Sequence, residues 1–64
     1  MTLYKIKYGF ISGLGAMVDH GVKLVSMYSG SETEALARIK QMENGRWKRY
    51  GSDVEVVILN VSKA

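Results

Sequence analysis

From residue 3 to residue 11 the chain alternates. Tyr4, Ile6, Tyr8 and Phe10 fall on one parity, and Leu3, Lys5, Lys7 and Gly9 on the other. Aromatic and β-branched side chains at every second position predict a half-buried strand with those four pointing inward. Residues 22–28 alternate as well, Val22, Leu24 and Ser26 against Lys23, Val25 and Met27, and predict a second strand. Between the two, residues 12–21 carry Gly13, Gly15 and Gly21 and read as a glycine-punctuated connection. After Ser29-Gly30 the period changes. Ala35, Leu36, Ile39 and Met42 recur at helical spacing and make one apolar stripe. Both ends of that helix carry signals. Ser31-Glu32-Thr33-Glu34 has capping-box spacing, in which the Ser31 hydroxyl accepts from the Glu34 amide and the Glu34 carboxylate reaches back to the Ser31 amide. Asn44-Gly45 reads as the stop, because glycine tolerates the left-handed conformation that ends many helices. The alternative is that the residues from Arg46 onward extend the helix past Gly45. Arg46 to Ser52 is otherwise a basic, aromatic connector, and residues 53–61 form a third strand.

That third strand breaks the pattern. Val54, Val56 and Ile58 are apolar on one parity, and Val57, Leu59 and Val61 on the other. A strand apolar on both faces is normally covered on both, and one short helix covers one. A second copy of the chain is the economical cover, so a homodimer is expected with Val57, Leu59 and Val61 in its interface; the ordinary alternative is a terminal strand with loosely enforced alternation. The order ββαβ then fixes the expected topology. A right-handed crossover through the helix sets the second and third strands parallel, and the first strand between them makes every neighbouring pair antiparallel. The expected fold is a small α+β domain over residues 1–64, with a three-stranded antiparallel sheet in the order 2-1-3. One helix lies on the Tyr4/Ile6/Tyr8/Phe10 face, and Lys5 and Lys7 lie on the open one.

Size and composition narrow the chemistry. A chain of 64 residues buries only about 60% of its unfolded surface, and such a core rarely supplies more than about 3–5 kcal/mol. The absence of cysteine rules out disulfides and thiolate metal sites, and a lone His20 cannot build a zinc site. No cofactor is expected. A partner or a second copy is left as the usual support for so small a core. Lys5 and Lys7 interrupt the first apolar run, unlike a signal peptide, and no run approaches the roughly 18–20 apolar residues of a membrane span. A soluble, cytoplasmic protein with no membrane partner is expected. Catalysis is not: there is no cysteine nucleophile, and the single His20 adjoins Asp19, too close in sequence to form a triad by itself. Glu32 and Glu34 are accounted for by the helix start, and Asp53 and Glu55 need further ligands to hold a metal.

Three segments remain as candidate sites. Gly13-Leu14-Gly15-Ala16-Met17-Val18 has a superficial phosphate-loop look, but it lacks the third glycine and the Gly-Lys-Ser/Thr ending, and it leads into a strand. Its apolar Leu14, Met17 and Val18 either fold back over a core edge or insert into a partner. Arg46-Trp47-Lys48-Arg49-Tyr50 concentrates cations beside aromatics, which suits an acidic protein surface or nucleic acid; alternatively Trp47 and Tyr50 cap the core edge. The leading expectation is a non-enzymatic protein-binding module that contacts a larger protein through Leu14, Met17 and Val18 with Arg46, Trp47, Lys48, Arg49 and Tyr50. The alternative is a small nucleic-acid-binding protein using Lys5, Lys7 and Lys23 on the open sheet together with Arg46, Lys48 and Arg49. The net charge of +3 is modest for the latter. In size and lack of an active site the chain resembles the small accessory proteins of phages and other mobile elements, anti-CRISPR and other anti-defence inhibitors among them. That likeness implies binding to a host protein and assigns no residue a role.

Overall fold

The computed structural model describes residues 1–64. Its elements are β1 (Thr2–Ile11), β2 (Met17–Met27), α1 (Glu32–Met42), α2 (Asn44–Lys48) and β3 (Glu55–Lys63). The three strands form one sheet in the order β2-β1-β3, both pairings antiparallel. The helices lie on one face, where Ile6, Tyr8, Phe10, Val25, Met27, Ala35, Ile39, Val54 and Val56 make the core. No helix is long and apolar enough to cross a membrane.

β2 begins at Met17, not at residue 22, and only residues 12–16 turn the hairpin. Ser12 donates its amide to the Ala16 carbonyl at 2.9 Å, and Gly15 takes φ 86° at the tip. Gly21 belongs to the strand, where it faces Tyr8. A Cβ there would lie 2.5 Å from the Tyr8 hydroxyl, so this glycine marks a close approach rather than a turn. A bulge shifts the register between Phe10, paired with Asp19, and Ile11, paired with Met17; Val18 is the extra residue.

A second bulge resolves the third strand. Lys7 pairs with Asn60 but Tyr8 pairs with Ile58, so Leu59 is inserted. One extra residue reverses the alternation. Val56, Ile58 and Val61 therefore all sit opposite inward residues, namely Phe10, Tyr8 and Ile6, and Ile58 and Val61 pack against the core. The expected second apolar face made of Val57, Leu59 and Val61 does not exist as a unit. Its two-sided look arises from a phase slip at Leu59.

α1 starts as read and ends differently. The Ser31 hydroxyl accepts from the Glu34 amide at 3.1 Å. The Glu34 carboxylate, however, turns to the amides of Tyr28 and Ser29, at 2.9 and 2.8 Å, and not to that of Ser31. These two amides chiefly hold its carboxyl down to about 2. At the other end α1 stops at Met42, just before Asn44-Gly45, and after Glu43 a separate short helix, α2, runs through Gly45. The Trp47 amide donates to the Glu43 carbonyl at 2.8 Å, and Gly45 lies inside α2 without a positive φ. The left-handed glycine after the helical run is Gly51, with φ 92°. Met42 leaves the stripe and is half exposed, while Glu43 is buried. Ala35, Ile39 and Glu43 are four apart, and that row faces the sheet.

Candidate functional site

β2 carries Asp19, Gly21, Lys23, Val25 and Met27 on the helix side of the sheet, so its first half brings charges rather than apolar groups under the helices. They are met by α2. Arg46 places Nε 3.0 Å and Nη2 2.7 Å from Asp19 Oδ2, and Nη1 2.9 Å from Glu43 Oε2. Nη2 also donates to the His20 carbonyl at 2.9 Å, and the guanidinium lies 5.0 Å from the centre of the Phe10 ring. Lys23 Nζ is 3.4 Å from Glu43 Oε1. The Tyr50 hydroxyl donates to Asp19 Oδ2. That hydroxyl, followed by Arg46, holds the Asp19 carboxyl down to about 2. The same carboxylate pushes the Tyr50 hydroxyl up and raises Arg46 further. Burial, then the Glu43 carboxylate, raises Tyr8. Two carboxylates thus balance two cations, and every buried side-chain polar atom there has a partner. The role of the network is to fasten α2 across the sheet.

This changes the standing of the basic segment. Arg46 and Tyr50 are committed to the network, and Tyr50 also packs on Phe10 at 5.4 Å between ring centres. Trp47 caps the core edge, its Nε1 donating to the Val54 carbonyl at 2.6 Å and Lys40 sitting 5.5 Å over its ring. It walls an open depression of about 380 Å³ with Asn44, Lys48, Gly51, Ser52 and Val54. Lys48 and Arg49 alone of the five are exposed and form no ion pair.

The hairpin residues disperse too. Leu14 stands 99% exposed at the tip. That turn meets the connector at Asp53, whose carbonyl lies 3.7 Å from where a Cβ on Gly13 would be, and not at Trp47. Met17 lies on the far side of the sheet over Gly9, with its Cε 3.1 Å from a Cβ there, and Val18 occupies the bulge. Leu14, Met17 and Val18 therefore do not join Arg46–Tyr50 in one surface.

The face without a helix is a different matter. Pairing sets Lys5 beside Leu24 and Ser62, Lys7 beside Val22 and Asn60, Gly9 beside His20 and Val57, and Ile11 beside Met17 and Glu55; Leu3 pairs with Ser26. Leu24 is 61% exposed, Val22 52%, Leu59 51%, Met17 48% and Leu3 44%. Lys5 and Lys7 are exposed in the central strand and belong to no ion pair. Lys23 does not share this face. It shares the helix side with Val25 and is paired with Glu43, so the expected Lys5/Lys7/Lys23 set is broken.

Compared with protein-family models, curated proteins and solved structures, the chain matches none.

Leu3, Val22 and Leu24 were legible as a parity but not as a site, because alternation within the second strand does not say which of its faces joins Lys5 and Lys7; the pairing register decides that. Asp19 and Glu43 had a signal of the same kind. Asp19 continues the inward parity of Lys23, Val25 and Met27, and Glu43 continues the row of Ala35 and Ile39.

Proposed function

We propose that the protein is a non-enzymatic protein-binding module that docks through the open face of its sheet. One observation carries the reading: half-exposed Leu3, Val22 and Leu24 flank two unpaired lysines on a face with no covering element. Clustered aliphatic side chains in water cost about 25 cal/mol for each Å², and contiguous patches of this kind mark contact surfaces. The helix side offers less, since Asp19, Glu43, Arg46 and Lys23 neutralise one another and Trp47 and Tyr50 are tied down, which leaves only Lys48 and Arg49 free in the basic segment. The module would act by covering or adapting a larger protein.

The nucleic-acid reading is weaker. With Lys23 and Arg46 neutralised, its cations reduce to Lys5 and Lys7 on the open face and Lys48 and Arg49 on the helix side. Two separated pairs do not make the continuous stripe that phosphate contacts need.

The test is comparative capture. Immobilised wild-type chain, a Leu24→Asp variant and a Lys48→Glu/Arg49→Glu variant are exposed to the same cell extract. Proteins retained by the wild type and the doubly reversed variant but lost from Leu24→Asp support the reading. Undiminished capture by folded Leu24→Asp refutes it. Binding to duplex DNA that falls steeply with salt would favour the alternative.

A further inference from the structure

Building on the assignment of the open face to protein docking, we propose that its occupant is an amphipathic helix of another protein, with carboxylates along one flank of an apolar stripe. The face is divided lengthwise. Leu24 and Val22 line its β2 side, Lys5 and Lys7 run down the middle, and Ser62 and Asn60 line its β3 side. An occupant lying over β2 and β1 meets aliphatic groups on one flank and ammonium groups on the other.

The central position of the lysines selects the charge. Any surface that covers Leu24 and Val22 also desolvates the neighbouring ammonium groups, and a buried charge is tolerated only when paired. The face holds one carboxylate, Glu55, beside Ile11 at the opposite end from Lys5. The occupant must therefore bring its own acids. Alternate residues of a strand stand about 6.6–6.8 Å apart, close to the roughly 6 Å between positions i and i+4 of a helix. Glutamates at that spacing fall in register with Lys5 and Lys7.

Shape selects the helix. A sheet face is covered by helices or by another sheet, and an extended peptide adds to an edge instead. The available second sheet is another copy of this chain. Stacking two copies sets four central lysines against a single corner carboxylate from each, which leaves ammonium groups unpaired. A helix from a different protein avoids this. Met17, a flexible thioether lying over Gly9, can adjust to the apolar ridge laid across it.

The full chain, isotope-labelled, is titrated with a synthetic peptide of about 18 residues bearing a leucine stripe and glutamates at i and i+4. A control peptide has lysine in place of every glutamate. Amide shifts should centre on Lys5, Lys7, Val22 and Leu24. Lys5→Glu with Lys7→Glu should weaken the acidic peptide about tenfold or more and make the lysine peptide the better ligand, with the spectrum of the free variant still that of a folded chain. Absence of saturable binding, equal affinity for both peptides, or shifts confined to α1 and α2 would overturn the proposal. So would a preference for duplex DNA over the acidic peptide, or a dimer in sedimentation equilibrium that Leu24→Asp dissolves. If the acidic peptide fails while Leu24-dependent capture from extract persists, the helix class falls and the docking face stands. If both fail, both fall.

Discussion

Arg46 of α2 closes on Asp19 of β2 across 27 residues of chain, with Nη2 2.7 Å and Nε 3.0 Å from one carboxylate oxygen. α2 has five residues and no fully buried side chain, so its apolar anchorage is the half-buried Trp47 against the core edge. Its position follows from the Arg46 contact, from Trp47 on the Val54 carbonyl and from Tyr50 on Asp19.

Acid should loosen the fold in a defined window. Asp19 has its carboxyl lowered from 3.8 to about 2 and Glu34 from 4.5 to about 2. The folded state holds these protons less tightly than the unfolded chain. Their stabilisation is therefore complete above the unfolded values and is lost as pH falls from about 4.5 through about 2. Urea midpoints measured across that range should drop for the wild type and drop less for Asp19→Asn and Glu34→Gln. Parallel curves for all three would show that neither carboxyl is perturbed.

Two glycines should respond in opposite directions. A Cβ at Gly45 meets nothing within 4 Å in a helix of ordinary φ, so Gly45→Ala should stabilise by about 0.5–1 kcal/mol. At Gly21 the new methyl meets the Tyr8 hydroxyl and ring edge at 2.5–3.0 Å, and Gly21→Ala should destabilise by about 1–3 kcal/mol. Chemical denaturation of both variants decides it; a destabilised Gly45→Ala would restore the helix stop at that residue.

The bulge at Leu59 makes neighbouring positions differ sharply. Leu59→Asp places a charge on an exposed site and should change stability by no more than about 0.5 kcal/mol. Val61→Asp pushes one against the core and should cost about 1–3 kcal/mol. Similar midpoints for the two variants would mean that the strand runs without the bulge.

Ile6 and Ile39 are fully buried from opposite layers. Truncation of either to Ala should cost about 2–5 kcal/mol. That matches the whole stability of a domain this size, about 3–5 kcal/mol, so circular dichroism should show largely unfolded chains at 25 °C. Cooperative unfolding with a near-wild-type midpoint at both sites would contradict the packing of β1 on α1.

The Ser31 cap is a local test. Ser31→Ala should cost about 1 kcal/mol, read as a lower thermal midpoint with an unchanged native spectrum. No change would place the helix start elsewhere.

The three strands, the main helix with its Ser31 cap and the order 2-1-3 were legible in the sequence. Alternation, helical spacing and capping act over a few residues, and handedness with short connections leaves one economical arrangement. What the tertiary structure decided depends on residues far apart in the chain. Gly21 reads as a turn until Tyr8 is set opposite it. Leu59 and Val18 carry no composition that marks a bulge, because a bulge settles the mismatch between two strands rather than expressing a preference of one. Arg46 and Lys23 look like free cations until Asp19 and Glu43 arrive beside them, whereas Lys5 and Lys7 stay unpaired because the helices cover the other face. Local patterns set which elements form. Pairing across the fold, through register, burial and charge, decided which side chains remain available to a partner.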